Sequence, residues 1–235
     1  AHSLWPVLSV IEWGIIHSLL ALFFVLWGNY SYFEKVMKVI IALLFIVVIT
    51  SVVIISPNLN GIMTGIFIPK IQEGSASYVM AIIGGVGGSV TLLSYGYWIA
   101  EKKWKGRNQI SRIRIDLAAA YILTGIFGIA IVILAANLEP EIVKSNKIII
   151  ALANEMKTAT GEIGSWIFLL GFWGAVTSSM LGVWQGIPYL FADFISTWRK
   201  EEVVVTKLHK SKYYIGFLFF LAIPPILILY FQKPV

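Results

Sequence analysis

Residues 81–98 hold the groups in this sequence that are best suited to binding a cation. Four glycines fall within five positions: Gly84, Gly85, Gly87 and Gly88. Hydroxyl side chains follow at Ser89, Thr91 and Ser94. Each glycine costs a helix interior roughly 1 kcal/mol relative to alanine, so this stretch is a poor continuous helix. The pattern predicts a helix whose backbone opens, so that free carbonyl groups and nearby hydroxyls can ligate an ion.

Close packing between helices is the alternative interpretation of the same glycines. Gly84-x-x-x-Gly88 fits the small-xxx-small pattern that lets two membrane helices approach each other. A packing face needs its small residues on one side, whereas these four glycines spread around the helix. The spread favours an opened backbone.

Other polar residues within apolar stretches are further candidates. Ser178 and Ser179 follow Thr177 and could line the same pathway, or could bond to the preceding turn or to another helix. Glu12 and His17 are ionisable groups inside a span, which are functional candidates by default, although Glu12 is close enough to the span end to reach water. We expect Asp193 to pair with a lysine or arginine of a basic loop.

The composition predicts an all-α integral membrane protein. The chain has 235 residues, of which 58% are hydrophobic and 13% are charged, whereas soluble domains average about 45–50% apolar and about 25% charged residues. The absence of cysteine excludes disulfides and thiolate metal sites, and the three histidines are too scattered for an imidazole cluster. Hydrolase, metalloprotease and nucleotide-binding motifs are absent. We therefore expect no enzyme activity and no cofactor.

Six apolar spans of a single transmembrane domain are predicted, each near the roughly 20 residues that a bilayer requires. They cover residues 7–27, 37–56, 77–99, 117–137, 163–195 and 213–231. Asp116 is predicted to cap the fourth span, and Thr160 and Glu162 the fifth.

The basic residues predict the orientation of the spans. The first, third and fifth loops hold two, six and five of the 18 lysines and arginines. Because cytoplasmic loops concentrate these residues, the chain is predicted to be a multi-pass protein of the cytoplasmic (inner) membrane that starts outside. An external start without a signal peptide leads us to expect that the chain lacks upstream spans.

The sequence resembles the Nramp family of divalent metal transporters, which have the LeuT-like inverted-repeat fold. The resemblance rests mainly on residues 84–107, where Gly-Gly-Val-Gly-Gly-Ser-Val-Thr-Leu-Leu-Ser-Tyr-Gly-Tyr-Trp-Ile precedes a charged loop, as in the sixth helix of one bacterial branch. Weaker matches lie at Phe33, at Asp116 and at Ser178-Ser179, which resemble the fifth, seventh and eighth helices. The six spans would then be helices four to nine of a partial LeuT-like fold.

The resemblance implies a secondary transporter of divalent cations of the manganese, magnesium or iron type. The metal would be the substrate, held in part by the backbone of Gly87 and Gly88. The implied substrate path consists of Gly85, Val86, Gly87, Gly88, Ser89, Thr91, Ser94, Tyr95, Ser178 and Ser179. The implied partners are the lipid bilayer, the metal ion, and missing N-terminal helices or a chain that supplies them.

Two departures from the family pattern refine these expectations. Familiar members carry Met-Pro-His-Asn where this chain has Gly88, Ser89, Val90 and Thr91, and a later histidine aligns with Tyr95. Loss of the thioether leaves oxygen ligands, which suit harder ions such as Mg²⁺ and Mn²⁺. The family's first helix, which supplies acidic ligands, is not in this sequence, so we expect this chain alone to bind metal weakly.

Two alternatives remain open at this point. The chain could be a membrane scaffold subunit that transports nothing, with glycines that serve packing only. It could also be an amino-acid or organic-solute carrier of the same fold, which would direct half-helix N-termini at a carboxylate.

Overall fold

In the computed structural model the described residues form helices joined by short turns, without any strand, and this confirms the predicted all-α class. The structure describes residues 2, 4, 5, 7–27, 30–68, 74–86, 90–104, 106–136, 138, 147–201 and 205–231. Its α-helices are α1 (Val10–Trp27), α2 (Tyr30–Ile55), α3 (Leu59–Phe67), α4 (Ala76–Val86), α5 (Val90–Glu101), α6 (Ile110–Ala135), α7 (Ile148–Trp198) and α8 (Lys212–Phe231). Short 3₁₀ helices occupy Arg107–Gln109 and Val205–Lys210.

Several helices have the length and composition of membrane spans. Within the described residues, three are long and apolar enough to cross a bilayer, namely Lys35–Ile55, Arg107–Ala135 and Ile148–Trp198. Shorter apolar helical segments cover Val10–Leu26, Ala76–Gly85 and Lys212–Ile228. Large apolar side chains such as Phe220 and Leu227 on α8 are exposed. This exposure suits helices whose outer faces contact lipid rather than water.

The helix starts differ from the sequence prediction at α6 and α7. Asp116 does not cap its helix, because α6 begins six residues earlier, at Ile110. Arginine favours a helix almost as well as alanine, so the basic segment that contains Arg112 and Arg114 forms the first turns of α6 instead of a loop before it. Helix α3 and the first part of α7 also lie in segments that the sequence analysis assigns to loops.

A bend at Gly161 stands where the fifth span was predicted to begin. Gly161 has φ 79° and ψ −176° inside α7, a conformation that residues with a Cβ rarely adopt. The Thr160 hydroxyl donates to the Met156 carbonyl at 2.8 Å, so Thr160 does not cap the following segment as predicted. Glu162 forms an ion pair with Lys157 across the bend.

The chain divides into two compact units. Unit 1 contains residues Ala1–Ala42, Thr91–Ile115 and Leu169–Val235, and unit 2 contains Leu43–Val90 and Asp116–Phe168. In unit 2, the rings of Phe45 and Phe127 stack with centroids 6.2 Å apart. The buried Ser51 hydroxyl in unit 2 donates to the Val47 carbonyl at 2.9 Å, so this polar group is satisfied within its own helix.

Unit 1 has a continuous apolar core made by α1, α7, α8 and the second 3₁₀ helix. Its buried members are Ala21, Leu181, Trp184, Tyr189, Ala192, Leu208, Tyr214, Leu218 and Ala222. Phe191 and Phe217 stack nearby, with ring centroids 4.3 Å apart. This core fixes the second half of α7, which carries Ser178, Ser179 and Asp193.

Helices α5 and α7 approach each other closely at Gly186. A Cβ atom at this position would lie 2.8 Å from the Ser94 hydroxyl oxygen and 2.9 Å from the Ser94 Cβ. Ser94 is fully buried, so it has little room to move away. Glycine is therefore required at position 186 by the close approach of a neighbouring helix.

We predict that Gly186→Ala lowers the stability of the protein, because the new methyl group overpacks the α5–α7 contact at a cost of about 1–3 kcal/mol. Gly182→Ala is the matched control, since a Cβ there meets no described atom within 4 Å and alanine favours a helix. Thermal unfolding of both variants in detergent measures the difference. Equal melting temperatures for the two variants would contradict the proposed contact.

Candidate functional site

The predicted glycine and hydroxyl pathway is distributed over α4 and α5. Gly85 and Val86 are the last residues of α4, and Thr91 stands near the start of α5. Gly87, Gly88 and Ser89 lie outside the described residues. The opening of the backbone at these three positions therefore stays a prediction.

The first two glycines of the run do not lie at a close helix contact within the described chain. A Cβ added at Gly84 or Gly85 would meet no described atom within 4 Å. By contrast, a Cβ at Gly186 would clash with Ser94 of the neighbouring helix, as expected for a glycine that permits close packing. The packing interpretation thus lacks support at Gly84 and Gly85.

Ser94 and Tyr95 of the predicted pathway occupy different environments on α5. Ser94 is completely buried against Gly186 of α7, whereas Tyr95 is half-buried. Tyr97 and Trp98 lie on the same face of α5 as Ser94, because they follow it by three and four residues. Ser94 therefore lies on the face of α5 that packs on α7.

A hydrogen bond between Tyr97 and Asp193 is the main polar contact across that face. The Tyr97 Oη donates to Asp193 Oδ2 at 2.6 Å. The expectation that Asp193 pairs with a basic side chain is wrong for the described part of the chain, in which its partner is Tyr97. The reason is its place on α7, since Asp193 lies one turn beyond Tyr189 on the face that contacts Tyr97 of α5.

Three tyrosines extend this contact towards α8. The rings of Tyr97 and Tyr189 stack nearly parallel, with centroids 5.5 Å apart and an interplanar angle of 13°. Tyr214 meets Tyr189 edge-on at 5.0 Å, and its hydroxyl donates to the Gln185 carbonyl at 3.3 Å. Gln185, Tyr189 and Asp193 follow one another at four-residue intervals, so one face of α7 carries the whole arrangement.

The serines predicted to line the pathway from α7 lie further towards its N-terminus. Ser178 is half-buried and Ser179 is exposed. The neighbouring Thr177 hydroxyl donates to the Trp173 carbonyl at 2.8 Å, so for this residue the alternative of bonding to the preceding turn is confirmed. The predicted role of Ser178 and Ser179 in lining the pathway stays a prediction.

Glu12 takes part in the start of α1. The Ser9 backbone N–H donates to Glu12 Oε2 at 2.7 Å, and the Glu12 backbone N–H donates to Ser9 Oγ at 3.2 Å. This reciprocal pair is a capping box, which satisfies two backbone donors at a helix start. The capping contact accounts for Glu12 without an ion-binding role.

Both ring nitrogens of His17 are engaged by other groups of unit 1. The Trp173 indole Nε1–H donates to His17 Nε2 at 2.8 Å, and His17 Nδ1 lies 2.7 Å from the Trp13 carbonyl oxygen. Since an indole can only donate, Nε2 is an acceptor and Nδ1 carries the hydrogen. His17 thus joins α1 to α7, and both of its ring nitrogens are occupied by contacts within unit 1.

Two buried polar atoms have no hydrogen-bond partner among the described residues. They are Trp98 Nε1 and Ser196 Oγ. Within the described residues there is also no group of three or more His, Cys, Asp or Glu side chains that could hold a metal ion.

Sequence reasoning did not identify the Tyr97–Asp193 pair. The available signal was the spacing of two helical faces, with Ser94, Tyr97 and Trp98 on one and Gly186, Tyr189 and Asp193 on the other. Such spacing marks a face but does not say which helix covers it.

We predict that Trp173→Phe destabilises the protein by about 1 kcal/mol, because it removes the donor to His17 Nε2 and leaves a half-buried acceptor unpaired. Trp198→Phe is the control, since Trp198 is 74% exposed. Melting temperatures in detergent should fall for the first variant only. A similar loss in both variants would show that the indole–imidazole bond contributes nothing.

Comparison with known proteins supplies the family. The chain matches the family described as natural resistance-associated macrophage protein-like (Nramp) over residues 1–235. Neither a search of curated proteins nor a search of solved structures gave a match. Because the family match covers the whole sequence, this chain belongs to the Nramp family of membrane metal ion transporters, as its glycine-rich sixth-helix pattern predicted.

Proposed function

We propose that this chain forms part of the pathway of a secondary transporter that carries hard divalent cations, of which Mn²⁺ and Mg²⁺ fit best, across the cytoplasmic membrane. Membership of the Nramp family supplies metal ion transport as the general activity. The choice among metals rests on ligand chemistry. Fe²⁺, which the family resemblance also suggests, fits an all-oxygen site less well.

The observation that carries this choice is the type of ligand that the chain offers. Gly88 replaces the methionine of the family motif and Tyr95 replaces the later histidine, so sulfur and imidazole are both absent from these positions. The described residues contain no cluster of three His, Cys, Asp or Glu side chains, and His17 has both ring nitrogens engaged. Oxygen ligands of the kind that remain select hard cations.

We propose that the backbone of Gly87 and Gly88 and the side chains of Thr91 and Tyr95 contact the cation. A Cβ at Gly84 or Gly85 would meet no described atom within 4 Å, which supports a role other than helix packing for the first part of the glycine run. Half-helix ends near the bilayer midplane are the usual place for such carbonyl ligands in transporters of this architecture.

The selectivity is testable in proteoliposomes that contain the transporter with this chain. We expect uptake of Mn²⁺ and competition by excess Mg²⁺, with weaker competition by Cd²⁺, because a soft ion gains little from oxygen ligands. Dye-reported or radiometric uptake gives the rates, and liposomes without protein are the control. Stronger competition by Cd²⁺ than by Mg²⁺ would contradict an oxygen-lined site. Uptake of an organic solute that divalent metals do not inhibit would contradict metal transport altogether.

We predict that replacing Gly87 and Gly88 by alanine lowers Mn²⁺ uptake at least about tenfold, because it removes the conformations that expose carbonyl ligands. Gly125→Ala and Gly128→Ala in α6 are controls, since neither residue belongs to the proposed path and a Cβ at either position would meet no described atom within 4 Å. Size-exclusion chromatography of each variant reports assembly. Loss of assembly with the first pair, rather than loss of uptake by assembled protein, would favour the packing alternative.

Calorimetry with Mn²⁺ tests how tightly this chain binds the cation by itself. We expect residues 1–235 alone to bind Mn²⁺ more weakly than a preparation that also contains an acidic first helix, because carboxylates supply most of the charge in a divalent cation site. Equal affinities would contradict this expectation.

A further inference from the structure

We infer that Tyr97 and Asp193 are positioning residues for cation transport: their hydrogen bond fixes the register of α5 on α7 and so holds Tyr95 in place. The inference rests on the proposed function, in which Tyr95 contacts the cation. Neither Tyr97 nor Asp193 needs to touch the ion, since both act through the placement of α5.

The two helices meet through complementary faces. On α5 the contact face carries Ser94, Tyr97 and Trp98, and on α7 it carries Gly186 and Tyr189 before Asp193. At one end, the missing side chain of Gly186 accommodates the buried Ser94. At the other end, Tyr97 reaches Asp193 with a 2.6 Å hydrogen bond. The face is thus fixed at two points, about two helical turns apart along α7.

The hydrogen bond supplies what the apolar contacts between these helices lack. The rings of Tyr97 and Tyr189 are nearly parallel, at 13°, and stacked rings can slide past each other at little cost because dispersion is non-directional. A bond from a hydroxyl to a carboxylate is directional and stronger than a neutral one. It therefore resists a slide or rotation of α5 that the stacking alone would allow.

Stability alone is a poor reason for a carboxylate at this position. Asp193 is half-buried in an apolar helix, and Tyr189 one turn before it is 1% exposed. Burying a charged group costs free energy, and well-packed apolar residues often serve stability equally well. A polar contact in such a place is better suited to specifying one register than to adding stability, as single polar residues do in coiled coils.

Register matters for Tyr95 because it is only two residues from Tyr97 on the same helix. A displacement of about 1 Å at a ligand is enough to weaken a preorganised site strongly. Loss of the bond should therefore raise the KM for the cation while the protein stays folded and assembled.

The first test uses Tyr97→Phe, which keeps the stacked ring and removes the hydroxyl. The KM for Mn²⁺ uptake should rise about tenfold, as expected from the loss of one charge-assisted hydrogen bond. Tyr213→Phe is the matched control, because the Tyr213 hydroxyl also donates to a carboxylate, that of Glu201 at 2.9 Å, but on the exposed surface. Its KM should remain that of the unmodified protein.

Asp193 variants separate positioning from proton binding. Asp193→Asn keeps an oxygen that can accept from Tyr97, so its KM should rise less than that of Tyr97→Phe, with an unchanged pH profile of uptake. The double variant Tyr97→Phe/Asp193→Asn should be no worse than Tyr97→Phe alone, since both changes act on one contact. A pH profile that shifts in Asp193→Asn, or additive effects in the double variant, would overturn the positioning role.

A distance measurement tests the inference independently of transport. The chain has no cysteine, so Leu93→Cys on α5 and Phe194→Cys on α7 introduce unique labelling sites, and both side chains are exposed, at 68% and 65%. Electron paramagnetic resonance of the spin-labelled pair should show a broader distance distribution with Tyr97→Phe than with Tyr213→Phe. An unchanged distribution would overturn the inference, even if the unmodified protein carries a different substrate.

Discussion

Polar groups among apolar helices are stabilised by partners within the protein, and this constraint organises unit 1. The Tyr97–Asp193 bond, the Trp173–His17 bond and the Tyr214 contact with the Gln185 carbonyl each join two helices. In each of these contacts one residue belongs to α7, namely Asp193, Trp173 or Gln185. Helix α7 therefore connects α1, α5 and α8. Because an unpaired polar group costs more in an apolar environment than in water, each bond also disfavours other arrangements of its two helices.

The same constraint separates the ionisable residues of the apolar helices by role. Glu12 accepts from the Ser9 backbone N–H at the start of α1, and His17 is held between Trp13 and Trp173. Asp193 is bound to Tyr97, which belongs to the helix that follows the glycine run. Of the three, Asp193 is therefore the one linked directly to the proposed cation pathway.

Glycine has more than one function in this chain. Gly186 allows α5 to approach α7, Gly161 bends α7 through a left-handed backbone conformation, and Gly84 and Gly85 have no described atom in contact range. Of these glycines, only Gly84 and Gly85 have the uncrowded surroundings expected of a backbone that must stay accessible to a ligand. The distinction explains why a glycine-rich stretch alone could not separate packing from ion binding.

The sequence by itself determined the helical class, the membrane character and the family, because these follow from composition and from local motifs. It could not determine where α6 begins, since arginines suit both a loop and a helix end. The partner of Asp193 and the enclosure of Ser94 by Gly186 were likewise decided only by tertiary structure. These contacts join residues about ninety positions apart in the chain, and spacing along one helix defines a face but not the helix that covers it.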